Sequence, residues 1–161
     1  MSIPKNETRI AVFPGSFDPI TTGHVNLVKR ALPLFDKIIV AIGLNDQKRY
    51  LFPLEQRRAW VEQSFSAFES VSVETYDSLT TDFCLQHRAR YVLRGVRNAT
   101  DFAYEENIAR INSRLNPSIE TIFLLSDEQH SIVSSSMIRE LLKFKQDISA
   151  YVPSVVAHDL S

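Results

Sequence analysis

The feature that most constrains the fold of this chain is a regular alternation between short apolar, β-branched runs and stretches with the periodicity of amphipathic helices. The apolar runs are Ile10 to Phe13, Ile38 to Ile42, Val71 to Val73, Tyr91 to Leu93 and Ile119 to Leu125. In the stretches between them, apolar residues recur every three or four positions, as at Val25, Val28, Leu32 and Phe35. Several runs do not alternate with polar residues, so we interpret them as strands buried on both faces of a parallel sheet.

Strand and helix follow one another along the whole chain, and this order predicts βαβ units with right-handed crossovers. The expected fold is an α/β, doubly wound, Rossmann-like parallel sheet of about five strands with helices on both faces. The 161 residues contain no internal repeat, no low-complexity tract and no change in composition typical of a linker. We therefore expect a single domain over residues 1–161.

Composition narrows the classes of function. Lys and Arg number 18, Asp and Glu number 19, and the formal charge is -1. No overall electrostatic field therefore favours nucleic acid or an anionic membrane, and any anion site must be local.

The single cysteine, Cys84, cannot form an intrachain disulfide, and neither it nor the histidines have the spacing of a metal site. No apolar run approaches the roughly 18 residues of a membrane span, and the polar start, Met1 to Thr8, is unlike a signal peptide. We expect a cytoplasmic protein with no nucleic-acid or membrane partner.

All four glycines, Gly15, Gly23, Gly43 and Gly95, follow expected strands or open the helix reached from one. Open α/β sheets bind ligands at that carboxyl edge, where a glycine permits close backbone approach or a positive φ. Each glycine alone could equally mark a tight turn. Their grouping at one edge favours a binding site.

The strongest local motif is FPGSFDPITTGH, which leads from the first strand into an amphipathic helix and ends at His24. It is neither a Walker A loop nor a dinucleotide fingerprint. Gly23 and His24 are expected at the helix N-terminus, where free amides and the macrodipole attract a phosphate and a protonated imidazole would add positive charge. The alternative is a half-exposed histidine that merely starts the helix. Ser16 and two glycines in the same loop favour the phosphate site.

A second group of chemical side chains follows the fourth expected strand. Arg94 and Arg97 flank Gly95 in an expected turn, where two guanidiniums offer fixed forks for phosphate oxygens. Glu105, on the following helix, could hold a sugar hydroxyl or a basic partner. Alternatively, the two arginines are surface groups paired with Asp101 and Glu105. Their position at a strand end favours phosphate binding.

Two further segments place anion-binding groups at the same edge. Lys48 and Arg49 follow the second strand and could close over a bound anion, although a solvated charge pair explains them equally well. Three serines, Ser134 to Ser136, precede a helix expected from Met137 to about Phe144. N-capping explains one serine but not three, so this helix start is a second candidate phosphate site.

Two of these motifs resemble those of a known family. The segment from Pro14 to His24 resembles the (H/T)-x-G-H signature of the nucleotidyltransferase α/β phosphodiesterase superfamily. The segments from Arg94 to Glu105 and from Val133 to Ser136 resemble bacterial phosphopantetheine adenylyltransferase, and the resemblance spans Arg9 to about Pro153. It implies a single nucleotidyltransferase domain that transfers AMP from ATP to 4′-phosphopantetheine. The products would be dephospho-coenzyme A and pyrophosphate, in the penultimate step of coenzyme A synthesis.

The resemblance also implies roles for individual residues. The implied catalytic residues are His24, which would stabilise the transition state, Lys48 and Arg94. The implied phosphopantetheine contacts are Ser16, Lys48, Leu79, Thr80, Arg94 and Asn112. The implied ATP contacts are Ser16, Phe17, His24, Gly95, Val96, Arg97, Glu105, His130, Ser131, Ile132, Val133, Ser134, Ser135 and Ser136. His130, Ser131 and Ile132 stand where the family commonly has aromatic residues, and Thr80 and Glu106 where it is more often apolar.

Family members are typically homohexamers that use Mg²⁺, bound through the phosphates of ATP rather than by a protein metal site, and that respond to coenzyme A as a feedback ligand. The implied reaction needs no general base, because an ionised phosphate can attack the α-phosphorus of ATP directly. Two other interpretations stay open. One is a related nucleotidyltransferase that acts on nicotinate mononucleotide or a polyol phosphate, and the other is a nucleotide-binding module without turnover.

Overall fold

The computed structural model of the protein describes residues 7–161, so the first six residues of the expected domain and of its polar start lie outside the described residues. Strand and helix alternate as the sequence predicts. The elements are β1 (Ile10–Gly15), α1 (Thr22–Ala31), β2 (Lys37–Gly43), α2 (Leu54–Phe65), β3 (Val71–Tyr76), α3 (Thr80–Gln86), β4 (Tyr91–Val96), α4 (Ala99–Leu115), β5 (Glu120–Leu125), α5 (Ser135–Lys143) and α6 (Ser154–Asp159), with single 3₁₀ turns at Leu32–Leu34 and Glu128–His130.

The five strands form one parallel sheet in the order β3-β2-β1-β4-β5. In its centre, Val12 of β1 lies opposite Ile39 of β2 on one side and Val92 of β4 on the other. The chain builds outwards from β1 to β3 and then returns to add β4 and β5 on the other side. The order therefore reverses between β1 and β4, and the predicted doubly wound fold is confirmed.

Both faces of the sheet are buried, as the continuous apolar runs predict. On one face Phe13 and Val40 pack with residues of α1, α2, α5 and α6. On the other face Val12 packs with Phe83 and Cys84 of α3. Cys84 is buried in this part of the core, and burial raises the pKa of its thiol to about 12. Among residues 7–161, no helix is long and apolar enough to cross a membrane.

The strands extend further towards their carboxyl ends than the apolar runs do. The sequence places Arg94 and Gly95 in a turn after the fourth strand, and this prediction is wrong: both lie within β4, where they pair with Phe123 and Leu124 of β5. An arginine and a glycine carry no strand signal of their own, and the neighbouring strand supplies the ladder. The arginine therefore stands on a rigid element instead of a turn.

None of the four glycines has a positive φ, and two of them, Gly15 and Gly95, serve close packing. A Cβ at Gly95 would lie 2.9 Å from Cδ1 of Leu27 in α1, and one at Gly15 would lie 3.0 Å from the ring of Phe17. The expectation of close approach is right at these two positions and the expectation of positive φ is wrong. The left-handed residue of this edge is Phe17 itself, with a φ of 48°.

Candidate active site

Two adjoining cavities open at the carboxyl edge of the sheet. One, the β2 cavity, has a volume of about 290 Å³ and is bounded by the β2–α2 loop (residues 44–53), the end of β3, α3 and α4. The other, the α5 cavity, has a volume of about 400 Å³ and is bounded by the β1–α1 loop (residues 16–21), α1, α4 and α5. Six residues line both cavities and form the junction between them: Pro14, Gly15, Ser16, Lys48, Arg94 and Glu105.

Most residues singled out from the sequence line these two cavities. The predicted contact residues in the β2 cavity are Ser16, Lys48, Thr80, Arg94, Glu105 and Asn112. The predicted contact residues in the α5 cavity are Ser16, Phe17, His24, Lys48, Arg94, Gly95, Arg97, Glu105, His130, Val133, Ser134, Ser135 and Ser136. The predicted ATP and phosphopantetheine contacts therefore fall largely into two separate but connected spaces.

Four predicted contact residues do not line either cavity. Val96 is buried, because consecutive side chains of a strand point to opposite faces and its neighbour Gly95 faces the α5 cavity. Leu79 precedes α3 and is 57% exposed, and Ile132 is 66% exposed. The hydroxyl of Ser131 donates to the carbonyl of Glu128, within its own turn.

His24 is held at the start of α1 by a capping box with Thr21. Its Nδ1 accepts a hydrogen bond from the backbone N–H of Thr21 at 3.0 Å and lies 3.1 Å from the hydroxyl of Thr21. In return, the N–H of His24 donates to that hydroxyl at 3.3 Å. Because Nδ1 accepts from an amide, the ring proton belongs on Nε2. His24 thus presents an N–H donor to a ligand in the cavity it lines.

The imidazole of His24 is neutral at physiological pH. Burial, followed by the positive charges of Arg94 and Arg97, lowers its pKa from 6.5 to about 4. The ring of Phe17 packs 4.9 Å away and that of Phe13 6.0 Å away. Without a bound ligand, His24 is therefore a neutral hydrogen-bond donor and adds no positive charge to the site.

Both arginines of the second motif are paired, and both line a cavity. Arg94 donates to the two carboxylate oxygens of Glu105 at 2.6 and 2.5 Å and to the carbonyl of Pro14 at 2.7 Å. Arg97 donates to Asp101 at 2.7 and 3.2 Å, which holds the pKa of that carboxyl below its ordinary value. The interpretation in which Arg94 and Arg97 are surface groups paired with Glu105 and Asp101 is right about the two ion pairs. It is wrong about the surface position, because both pairs are only partly exposed and the guanidiniums lie at the cavities.

Lys48 crosses from the β2–α2 loop to the β1–α1 loop. Its ammonium donates to the hydroxyl of Ser16 at 3.1 Å, at the junction of the two cavities. Its neighbour Arg49 is exposed and lines neither cavity. Of the two interpretations of this basic pair, the anion-binding one fits Lys48 and the solvated one fits Arg49.

The three serines before α5 have three different roles. The hydroxyl of Ser134 caps the helix by accepting from the N–H of Met137, so α5 begins at Ser135, two residues before the predicted start. Ser135 donates to the carbonyl of Pro19, and Ser136 accepts from Arg139. All three hydroxyls thus build the turn, which leaves the backbone N–H groups of Ser135 and Ser136 as its anion donors.

Arg139 of α5 is a cavity residue that the sequence reasoning missed. Its guanidinium donates to the carbonyl of Asp18 at 2.8 Å and to the hydroxyl of Ser136 at 3.1 Å, and it lines the α5 cavity. The available signal was its spacing, one helical turn after the serines and therefore on their side of the helix. Arg97 and Arg139 are thus the two arginines that line the α5 cavity but not the β2 cavity.

No group of three or more His, Cys, Asp or Glu side chains that could hold a metal occurs within residues 7–161. The two carboxylates lining the α5 cavity, Asp101 and Glu105, are each engaged by an arginine. Any cation accompanying a polyphosphate in this cavity would take most of its oxygen ligands from the phosphates and from water.

Comparisons with known proteins agree with this arrangement. A family model described as cytidylyltransferase-like matches residues 12–141. The phosphopantetheine adenylyltransferase of Flavobacterium psychrophilum is 48% identical over 148 residues, covering 92% of this chain and 97% of that protein. The phosphopantetheine adenylyltransferase of Leptospira biflexa is 42% identical over 151 residues, covering 94% of each chain. A solved structure, the bifunctional NMN adenylyltransferase/ADP ribose pyrophosphatase of Francisella tularensis, matches with a TM-score of 0.69 at 17% identity, covering 91% of this chain and 45% of that chain. This last likeness shows the fold alone.

Proposed function

Since the chain belongs to the cytidylyltransferase-like family and, within it, to the phosphopantetheine adenylyltransferases, we propose that it transfers AMP from ATP to 4′-phosphopantetheine, giving dephospho-coenzyme A and pyrophosphate. The observation that carries the proposal is the pair of cavities that meet at Ser16, Lys48 and Arg94. A reaction between two phosphorylated substrates needs a binding cavity for each substrate and positively charged side chains where their phosphates meet. We propose that the whole chain serves as one nucleotidyltransferase domain.

ATP would occupy the α5 cavity, which holds the larger share of phosphate donors. Arg97, Arg139 and the first-turn amides of α5 would bind the two phosphates that leave as pyrophosphate. Phosphopantetheine would occupy the β2 cavity, with its arm along Thr80 and Asn112 and its phosphate at Lys48 and Arg94. Ser16, which lines both cavities, would contact both ligands.

The phosphate of phosphopantetheine is ionised at neutral pH and can attack the α-phosphorus of ATP in line. A new P–O bond forms as the bond to pyrophosphate breaks, and no proton has to be removed from the nucleophile. The task of the protein is to bring two anions together and to stabilise the charge that gathers on the α-phosphate. Lys48 and Arg94, at the junction, oppose the repulsion between the anions.

His24 would stabilise the transition state through its Nε2–H. A neutral donor suits this position because it binds phosphate oxygen without needing a proton from solvent, and the capping box with Thr21 holds its orientation in advance. In the absence of substrate, the lowered pKa keeps the ring neutral across the physiological range.

We propose that Mg²⁺ is the cofactor and that it arrives with ATP. The support is that Asp101 and Glu105, the carboxylates that line the nucleotide cavity, are occupied by Arg97 and Arg94. When bound, Mg²⁺ neutralises charge on the departing pyrophosphate.

Further proposals concern assembly and regulation. We propose a homohexamer, supported by apolar side chains that α4 exposes one turn apart, Ile111 at 57% and Leu115 at 55%. Coenzyme A carries the phosphopantetheine arm and would compete for the β2 cavity as a feedback ligand. A cytoplasmic location and the absence of a nucleic-acid partner are proposed from the free Cys84 and the formal charge of -1.

The decisive test is mass detection of dephospho-coenzyme A after incubation with ATP, Mg²⁺ and 4′-phosphopantetheine. Parallel reactions replace the acceptor by nicotinate mononucleotide or a polyol phosphate, and ATP by CTP. The proposal expects product from the first mixture only. A folded protein that binds ATP but forms no product with any acceptor would instead be a binding module.

A further inference from the structure

Arg57 is a charged side chain buried behind the junction. It lies in the first turn of α2, is 2% exposed, and lines neither the β2 cavity nor the α5 cavity. No carboxylate of residues 7–161 forms an ion pair with it. Removing a guanidinium from water without a direct ion pair is unfavourable; burial lowers the pKa of Arg57, and the negative charge of the nearby Asp18 carboxylate opposes this only in part. Apolar packing alone does not explain such a residue.

The hydrogen bonds of Arg57 join the two loops that carry Ser16 and Lys48. Its Nη1 donates to the carbonyl of Ser16 at 2.6 Å, and its Nε donates to the carbonyl of Phe52 at 3.1 Å. Its guanidinium also stacks 4.0 Å from the centre of the Tyr50 ring. One rigid planar group therefore fixes the β1–α1 loop at Ser16 and the β2–α2 loop at both Tyr50 and Phe52.

Asp18 ties the same two loops from the opposite direction. Its carboxylate, 3% exposed, accepts from the N–H of Leu51 at 2.8 Å and from the N–H of Phe52 at 2.9 Å. Phe52 is thus held through its N–H by Asp18 and through its carbonyl by Arg57. The end of the β2–α2 loop has little freedom to move relative to the β1–α1 loop.

The bond from Arg57 also acts at a strained point of the backbone. Phe17 has a φ of 48°, in the left-handed region that bulky residues seldom adopt. The carbonyl of Ser16 belongs to the peptide just before Phe17, so its bond to Arg57 fixes the orientation of that peptide. The ring of Phe17 is buried against His24. A loosened Ser16 carbonyl would therefore displace Ser16, whose hydroxyl accepts from Lys48.

We infer that Arg57 is a positioning residue for group transfer: by binding the carbonyls of Ser16 and Phe52 at once, it sets the approach of the Lys48 ammonium to the Ser16 hydroxyl at the junction. This inference rests on the proposed function. It assigns Arg57 no contact with substrate. Replacing Arg57 would displace the Lys48 ammonium and would therefore impair the reaction with phosphopantetheine, the acceptor. ATP binding in the α5 cavity would be unchanged.

The test compares the wild-type protein with Arg57→Met, Lys48→Met and the double variant, using dephospho-coenzyme A formation and calorimetric ATP binding. Arg58→Met is the matched control, because Arg58 neighbours Arg57 on α2 but is half exposed and paired with Glu62. We expect Arg57→Met to lower kcat/KM for phosphopantetheine by about 10-fold or more, with the ATP Kd within about threefold of wild type. Arg58→Met should match wild type.

The double variant distinguishes a loss of activity that acts through Lys48 from an independent loss of activity. If Arg57 acts through Lys48, adding Arg57→Met to Lys48→Met lowers kcat/KM by no more than about threefold further. Losses that multiply, or an Arg57→Met protein with normal kcat/KM, would overturn the inference. If Arg57→Met does not fold, Arg57→Lys decides: its ammonium lacks the planar fork, so kcat/KM should fall severalfold, and an unchanged value overturns the inference. An inactive wild-type protein would contradict the proposed function instead.

Discussion

Thr21 and His24 hold each other through both backbone and side chain, and this exchange determines which form of the histidine meets the substrate. The amide of Thr21 donates to Nδ1 at 3.0 Å while the hydroxyl of Thr21 accepts from the N–H of His24. A cap that elsewhere would only start a helix here also fixes a tautomer. The orientation of the His24 ring is therefore built into the first turn of α1.

Replacing His24 should affect turnover more than binding. A donor that acts on the transition state raises kcat, so His24→Ala should lower kcat by about 100-fold or more with little change in the ATP Kd. Steady-state kinetics and calorimetry measure the two quantities. His158→Ala, which removes a fully solvated imidazole, serves as the control. A folded His24→Ala protein with near-normal kcat would contradict the proposed role.

The lowered pKa of His24 predicts how stability depends on pH in the absence of substrates. The folded value of about 4 lies below the ordinary 6.5, so the unfolded chain binds the proton more readily. Stability should be unaffected by His24 above pH 6.5 and should fall as the pH drops from 6.5 to about 4, by up to about 3 kcal/mol. Urea unfolding of wild type and His24→Gln at several pH values measures this, because the variant lacks that component of the slope.

Lys48 and Arg49 are adjacent cations with different surroundings, which gives a matched comparison. Lys48→Met removes the ammonium at the junction, so the KM for phosphopantetheine should rise and kcat should fall, with a combined loss of about 10- to 100-fold in kcat/KM. Arg49→Met should leave both parameters unchanged. Equal losses in the two variants would mean that overall charge, rather than position, governs the reaction.

Arg139 should show the opposite selectivity to Lys48. Arg139→Met removes a guanidinium that lines only the α5 cavity, so it should weaken ATP binding by about 10-fold or more and leave the phosphopantetheine KM nearly unchanged. Lys143→Met, in the last turn of the same helix, is the control. A rise in the phosphopantetheine KM alone would reverse the assignment of the two cavities.

The contact between Gly95 and Leu27 predicts a packing defect. In Gly95→Ala the new methyl group would lie 2.9 Å from Cδ1 of Leu27, and overpacking of this kind costs about 1–3 kcal/mol. At Gly43 the nearest atom would be Tyr76 at 3.5 Å, an ordinary contact, so Gly43→Ala should cost less. Thermal or urea unfolding of the two variants gives the comparison.

The sequence predicts the fold and the edge on which the site lies because both follow from order and pattern. Alternating strands and helices force a parallel sheet, and a parallel sheet brings all of its strand ends to one edge. Ser16 and Lys48 meet at that edge although 32 positions separate them in the sequence.

Other features depend on contacts that no pattern reveals. The neutral state of His24 results from burial and from two arginines on β4 and just after it. Arg57 and Arg139 look, in the sequence, like solvated charges on helices, and their partners are backbone carbonyls that any residue could supply. Strand ends such as Arg94 and Gly95 are held by pairing with β5 rather than by their own propensity.

The reversal of strand order between β1 and β4 has a consequence for how the protein could change its chemistry. The β2 cavity is bounded in part by the loops after β2 and β3, whereas the α5 cavity is bounded in part by the segments after β4 and β5. The end of β1, Ser16, Lys48, Arg94 and Glu105 serve both cavities. A redesign that retains Lys48 and otherwise changes only the loops after β2 and β3 would therefore exchange one acceptor for another and leave the α5 cavity intact.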